Sequence, residues 1–280
     1  MKLQEVKLLL KKYGVRPKHK LGQNFLVSED IIRRQVEHAE LSKRDVVLEI
    51  GAGIGTLTEF LIDRAKKIYV IEKDKGMLRI LNDRFDGAIE IIPGDVLEIE
   101  LPDFDKTVSN IPYAISSPLT FKLLKHGFKK AILTYQKEFA DRLVAAPGTK
   151  DYSRLSVAAY YYADARILET LPPEVFYPSP KVNSAIVELI PKRPPFEVDE
   201  KKYFSVVAGL FSHRRKTLRN AALDSFAAIF GREYDKREQR KIVENSLPKE
   251  FLEKRVFRLT PEELAEITKR LRISFINTQK

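Results

Sequence analysis

From Asp45 to about Pro191 short apolar runs alternate with longer amphipathic stretches, a pattern that predicts a layered sheet of strands and helices. The apolar runs place strands at 46–50, 68–71, 89–92, 107–109, 131–134, 167–171 and 182–190, with helices between most of them. Between the last two runs stands mainly PPEVFYPSPK, too short for a crossover helix, so these strands are expected to pair antiparallel as a hairpin. The predicted product is an α/β fold whose sheet is mostly parallel with an antiparallel last strand. Beyond KRPPF (192–196) no strand-like run is evident, and helical spacing appears at 204–210, 218–230 and 261–271. Thr260 ahead of Pro261, with Glu263 three residues after Thr260, marks a helix start, because Pro at the first helical position forfeits no hydrogen bond. Two domains follow: a larger one over 1–192, with a basic segment at 1–20, and a smaller all-helical C-terminal one over 193–280. The sequence holds no internal repeat and no low-complexity tract.

Composition narrows the function classes. With 280 residues and 44% apolar content the chain can bury a core unaided. The absence of cysteine and the presence of only four histidines leave no disulfide framework and no Cys/His zinc constellation, so no metal is expected. The N-terminus lacks the apolar run of a secretory signal, and no window approaches the ~20 apolar residues that span a bilayer. A cytoplasmic protein without membrane contact is therefore expected, and without an amphipathic zipper, a monomer. Abundant charge, no Cys and two Met also fit a thermophile's habit.

The net charge of +11 is unevenly spread. Residues 1–20 carry seven Lys/Arg against one Glu, residues 191–280 carry 21 against 13 acidic residues, and the middle holds 22 against 25. A near-neutral body with two basic flanks suits an enzyme that grips a polyanion, since Lys and Arg neutralise phosphates and release counterions. A Lys-rich soluble surface would give the same counts.

The stretch VLEIGAGIG (47–55) reads as a strand, a glycine-rich turn and then a helix. Gly51 and Gly53 permit positive φ and let a ligand approach the backbone. A dinucleotide fingerprint needs G-x-G-x-x-G, and Thr56 holds the third glycine's place, which favours a cofactor without a pyrophosphate. A dehydrogenase turn or a plain tight turn stays open. Glu72, 21 residues past Gly51, ends the next strand, where a carboxylate can accept from both ribose hydroxyls; a solvated strand-end charge is the other reading. Asp95 follows the third strand and can accept from an adenine amine, or simply close a turn after Gly94. Three successive strand ends bearing Gly, Glu and Asp match the rule that open α/β sheets bind ligands beyond the carboxyl ends of strands.

After the fourth strand comes Asn110-Ile111-Pro112-Tyr113. An adenine amine is a poor nucleophile because its lone pair is delocalised into the ring. The Asn110 amide oxygen and the Ile111 carbonyl can each accept one amine hydrogen and localise that pair. Pro112 forces Ile111 into an extended conformation that presents its carbonyl, and Tyr113 offers a face for the base. An ordinary turn after a strand is the alternative.

With these motifs in place the chain resembles the ribosomal RNA adenine dimethyltransferase family, the KsgA type, over nearly its whole length. Lys20-Leu-Gly-Gln-Asn-Phe-Leu26 is similar to that family's signature before the first strand, and the resemblance makes Asn24 and Leu26 contacts of the methionine end of S-adenosylmethionine, with Gln23 a helper. Without it, the segment is a polar loop ahead of a helix that starts near Ser28. A second signature spans Phe176 to Ala185; there the resemblance makes Phe176 the second aromatic jaw opposite Tyr113, where the residues alone give a rigid proline hairpin. Ser212 to Asn220 resembles the family's stretch opening the helical domain, and Arg214, Arg215, Lys216 and Arg219 are then expected on RNA phosphates rather than merely on a solvated helix face.

Departures are small: Ala52 stands where many relatives have proline, and NIPY replaces the commoner NLPY. The macrolide-resistance group, acting on large-subunit RNA, also reads NIPY, but HRRKTLRN and KLGQNFL argue for the small-subunit enzyme. The resemblance implies a Rossmann-like class I methyltransferase sheet and dimethylation of two neighbouring adenosines in a hairpin near the 3′ end of small-subunit ribosomal RNA, during assembly of that subunit. A non-catalytic RNA-binding assembly factor, an NAD-dependent dehydrogenase and a DNA adenine methyltransferase are the competing functions.

Overall fold

The computed structural model describes residues 1–18, 21–231 and 234–277, which form two compact units. The first comprises residues 1–141 and 163–191, the second residues 142–162 and 192–280. The second unit thus takes a segment, 142–162, that the apolar pattern assigns to the larger domain. Its helix Arg154–Tyr162 is apolar almost all round, with Val157 and Tyr161 packed into the helical core beside Tyr203, Leu210 and Leu264. A helix without a polar face reads like part of any core, so the sequence pattern does not say which one.

The first unit is built on a seven-stranded sheet. Its strands, together with a detached pair, are β1 (Phe25–Leu26), β2 (Val46–Ile50), β3 (Lys67–Glu72), β4 (Glu90–Pro93), β5 (Lys106–Asn110), β6 (Lys130–Gln136), β7 (Ala163–Leu171), β8 (Phe176–Tyr177) and β9 (Ser184–Pro191). The main sheet runs β4-β3-β2-β5-β6-β9-β7. The pairs among β2 to β6 are parallel, whereas β9 is antiparallel to both β6 and β7. The expected strands and hairpin are all present. The reversed strand, last in the chain, is inserted one place in from the sheet edge, and β7 takes the edge. That placement suits composition: β9 buries six consecutive residues, Ser184–Leu189, as a strand flanked on both sides must, while β7 is largely half-exposed.

Strand β2 is buried from Val47 to Ile50 and centres the layer, with Val47, Val70, Val108, Ile132 and Ile186 in one apolar cluster. The helix after the glycine turn is only four residues long, Thr58–Leu61, because Ile62 turns extended (ψ 142°) and Asp63 adopts φ 65°. The basic N-terminus is not a free extension. Helix α1 (Leu3–Lys12) buries Val6 and Leu10 against Phe25, Ile54, Met77 and Ile80, and leaves Lys2, Lys7, Lys11 and Lys12 exposed.

In the second unit the 218–230 run is two helices, Leu218–Asp224 and Phe226–Phe230, parted at Ser225, whose hydroxyl donates to the Gly209 carbonyl at 2.8 Å. The predicted start at Thr260 is a reciprocal cap: Thr260 N–H donates to Glu263 Oε2 at 2.9 Å and Glu263 N–H to Thr260 Oγ1 at 3.2 Å. Among the described residues no helix is long and apolar enough to cross a membrane, and no group of three or more His, Asp or Glu could hold a metal ion.

Candidate active site

The carboxyl ends of β2, β3 and β5 are stitched together by short polar contacts. Gly51 N–H donates to the Ile71 carbonyl at 2.8 Å, Ile50 N–H to Ser109 Oγ at 2.9 Å, and Gly53 N–H to Glu72 Oε2 at 2.9 Å. The other carboxylate oxygen of Glu72 accepts from the backbone of Lys73 and Asp74 at 2.9 and 2.8 Å. Burial pushes the Glu72 carboxyl up, and these three N–H donors hold it back. Glu72 is therefore no solvated strand-end charge; it clamps the glycine turn to the tip of β3.

Two glycines in that turn are sterically required. Gly51 has φ 69°, and a Cβ there would lie 3.1 Å from the Pro112 ring; Gly53 has φ 60°, and its Cβ would fall 2.7 Å from the Phe25 ring. The turn thus touches both the NIPY segment and the KLGQNFL segment, whose Lys20 lies outside the described residues.

These contacts enclose a cavity of about 100 Å³. Gln23, Asn24, Leu26, Gly51, Gly53, Glu72, Asp95 and Asn110, every residue read as touching the cofactor, line it, as does Pro112. Some are also engaged within the chain. Gln23 Oε1 accepts from Lys18 N–H at 2.7 Å, and Asn24 Nδ2 donates to the Gly22 carbonyl at 3.3 Å. Asp95 accepts from Leu97 N–H at 3.0 Å and pairs with Lys73 at 3.0 Å; the backbone donor and then the lysine hold its carboxyl below the usual range. The turn role and the rim position of Asp95 coexist.

A second, smaller cavity is lined by Gly22, Asn24, Asn110, Ile111, Tyr113, Thr134 and Phe176. Gly22, Asn24 and Asn110 are common to both chambers. Asn110 Oδ1 is buried and, among the described residues, has no hydrogen-bond partner. A buried acceptor without a donor is costly, and this one stands at the wall of a cavity. Ile111 is fixed by its own N–H, which donates to the Thr134 carbonyl at 3.1 Å. Phe176, 5% exposed, is held by strand pairing: β1 and β8 form a two-stranded sheet with Leu26 opposite Phe176 and Phe25 opposite Tyr177.

Among the residues that sequence reasoning missed here, four make specific contacts. Glu49 lines the larger cavity from the middle of a buried strand, accepts from Thr58 Oγ1 at 2.7 Å and is pushed up to about 8, first by burial. Its signal was available as a lone acid in VLEIG. Thr134 lines the smaller cavity with a buried, unpartnered hydroxyl; Phe25 packs on the glycine turn; and Ser184 bonds Tyr113. Phe25 and Ser184 sit inside the two signature segments, which do not single them out, and Thr134 has no local signal.

The four basic residues expected on RNA lie in the helical unit. Arg219 is paired with Glu244 at 3.3 Å and Glu253 at 2.7 Å, Arg214 donates to the Lys150 carbonyl at 2.7 Å, and Lys216 pairs with Asp224 at 2.6 Å. Arg219 and Arg214 thus donate to acceptors inside the unit, while Arg215 is exposed and Lys216 is 51% exposed.

A family model described as ribosomal RNA adenine dimethylase matches residues 14–253. The chain belongs to the ribosomal RNA adenine dimethylase family. A Methanosarcina mazei protein named probable ribosomal RNA small subunit methyltransferase A is 49% identical over 265 residues, covering 94% of this chain and 95% of its own. A protein of the same name from Thermococcus onnurineus is 48% identical over 269 residues, covering 96% and 97%. Among solved structures, a dimethyladenosine transferase from Plasmodium falciparum superposes with a TM-score of 0.76 at 30% identity, over 89% of this chain and 98% of its own. The 23S rRNA methyltransferase ErmE superposes at 0.64 with 28% identity, over 89% and 99%. The family resemblance carried by the motifs and the class I methyltransferase sheet are both borne out.

Proposed function

We propose that this protein transfers methyl groups from S-adenosylmethionine to the N6 amines of two adjacent adenosines in a hairpin near the 3′ end of small-subunit ribosomal RNA. The observation that carries the reading is the buried, unpartnered Asn110 Oδ1 on the wall shared by two adjoining chambers. The larger chamber fits the cofactor: it combines a left-handed glycine turn, a strand-end carboxylate held by backbone N–H groups, and a second carboxylate at the rim. When bound there, S-adenosylmethionine supplies an electrophilic methyl group on a positively charged sulfur.

The chain's own residues prepare the base. Tyr113 and Phe176 flank an unpaired adenine taken out of its stack. Asn110 Oδ1 accepts one amine hydrogen and the Ile111 carbonyl the other, which draws the nitrogen lone pair out of the ring and fixes its direction. No side chain need act as a base, because the methylated nitrogen is acidic enough to release its proton to water. Arg215, Lys216 and the exposed lysines of α1 supply phosphate contacts, and binding is correspondingly salt-dependent. In this reading the protein acts as a monomer in the cytoplasm on small-subunit ribosomal RNA or the immature small subunit that contains it. The small-subunit assignment rests on relatives near 49% identity, against 28% for the large-subunit enzyme.

Mass spectrometry of nucleosides tests this directly. Undermethylated small subunits incubated with the protein and S-adenosylmethionine should gain dimethyladenosine at two neighbouring positions, whereas large subunits and duplex DNA should not. Tight RNA binding without any methyl gain would establish the assembly-factor reading instead.

The glycine turn makes a separate prediction. Gly53→Ala forces a left-handed alanine against Phe25, at about 1–2 kcal/mol in backbone strain alone. Urea unfolding should show at least that loss, and calorimetry with S-adenosylhomocysteine should show binding weakened more than tenfold, about 1.4 kcal/mol or more. Unchanged affinity would mean that the turn does not shape the cofactor chamber.

A further inference from the structure

Tyr113 and Ser184 are 71 positions apart in the chain, yet their hydroxyl oxygens lie 2.6 Å apart. Tyr113 occupies a single 3-10 turn, Tyr113–Ile115, directly after Pro112 and is half-buried. Such a turn does little to fix the plane of a ring. Ser184 is the opposite: fully buried, the first residue of β9, and held between two strands, opposite Gln136 on β6 and Leu171 on β7. It is a fixed point of the main sheet.

We infer that Ser184 is a positioning residue that sets the plane of the Tyr113 ring, and with it the gap between Tyr113 and Phe176 that receives the base. The inference rests on the function proposed above. A phenylalanine would offer the same stacking face, so the tyrosine hydroxyl requires its own explanation, and the bond to Ser184 supplies one. An acid or base role for that hydroxyl fits poorly, since burial pushes the phenol further above its ordinary range. The chain geometry supports the anchor. Phe176 opens and Ser184 closes one connection between strands, and Phe176 is itself fastened by its pairing with Leu26. One jaw is held by backbone pairing and the other by this hydroxyl contact, so the width of the slot is set at both sides.

The test compares Ser184→Ala, Tyr113→Phe and the double variant, all as full-length protein. Each single change removes the same hydrogen bond from a different side. Both should lower the single-turnover rate on undermethylated small subunits roughly tenfold to a hundredfold through misorientation of the base, with unchanged affinity for the subunit. The double variant should be no slower than either single one. A second readout uses an RNA hairpin with 2-aminopurine at the target position: the wild type quenches its fluorescence by stacking, and both variants should quench less. If Ser184→Ala proves too unstable to purify, Tyr113→Phe carries the test alone. Wild-type rates and quenching in both variants, or losses that add in the double variant, would overturn the anchor while the proposed function stands. Absence of methyl transfer by the wild type would instead overturn the function.

Discussion

Replacing Asn110 by alanine should reduce methyl transfer to adenine by roughly a hundredfold to a thousandfold, the range seen when one preorganised polar contact to a reacting group is deleted. The change should leave the fold intact. Asn110 Oδ1 satisfies no donor among the described residues, so its removal orphans nothing and relieves a buried polar atom. Binding of the RNA, which rests on phosphates, should persist. The pairing of lost turnover with retained stability separates a group kept for chemistry from one kept for structure, and it is measured by single-turnover labelling alongside thermal melting. An Asn110→Ala protein that methylates at more than a tenth of the wild-type rate would remove the central contact from the mechanism.

The second large effect concerns stability and pH. Glu49 is 2% exposed, and burial is the main reason its carboxyl is pushed up to about 8, with Glu72 adding to it and the Thr58 hydroxyl opposing. The folded protein therefore keeps a proton on Glu49 that the unfolded chain, with an ordinary value near 4.5, has already released. Below pH 4.5 both states hold it and nothing is lost. Between pH 4.5 and about 8 the unfolded state binds fewer protons, so stability falls as pH rises; above that both states are ionised and the loss levels off. Across the window the loss is a few kcal/mol, at about 1.4 kcal/mol per unit. Glu49→Gln keeps an acceptor for Thr58 and abolishes the titration, so urea unfolding of the ligand-free variant should lose this slope and gain stability over wild type at pH 8. Parallel pH profiles for the two proteins would show that Glu49 is ionised in the fold.

Much of the architecture is legible in the chain because strands and glycine turns leave local signatures. Runs such as VVLEI and KAILTYQ are apolar enough that their place as buried strands follows from composition, and the reciprocal cap at Thr260 is written in four residues. The parts of the chamber walls that stand at strand ends, Gly51, Glu72 and Asn110, are legible for the same reason, whereas Gln23 and Asn24 come from a loop. What the chain does not display is long-range partnership. Nothing near Phe25 announces that it pairs with Tyr177, or near Ser184 that it meets Tyr113, because each contact joins segments separated by more than 70 residues. Arg219 makes the same point in reverse: in HRRKTLRN it reads as one more cation for phosphate, and only the fold reveals Glu244 and Glu253 beside it. The 142–162 segment, too, joins the second unit through packing partners such as Tyr203 and Leu264 that are distant in sequence.

The minimal ribbon made by β1 and β8 carries an engineering consequence. Its two rungs clip the loop bearing Gln23 and Asn24 to the strand that presents Phe176, so neither chamber can be reshaped alone. Enlarging the slot from residue 176 to admit a bulkier nucleobase drags residue 26 along, and any gain in scope for one ligand is charged against grip on the other.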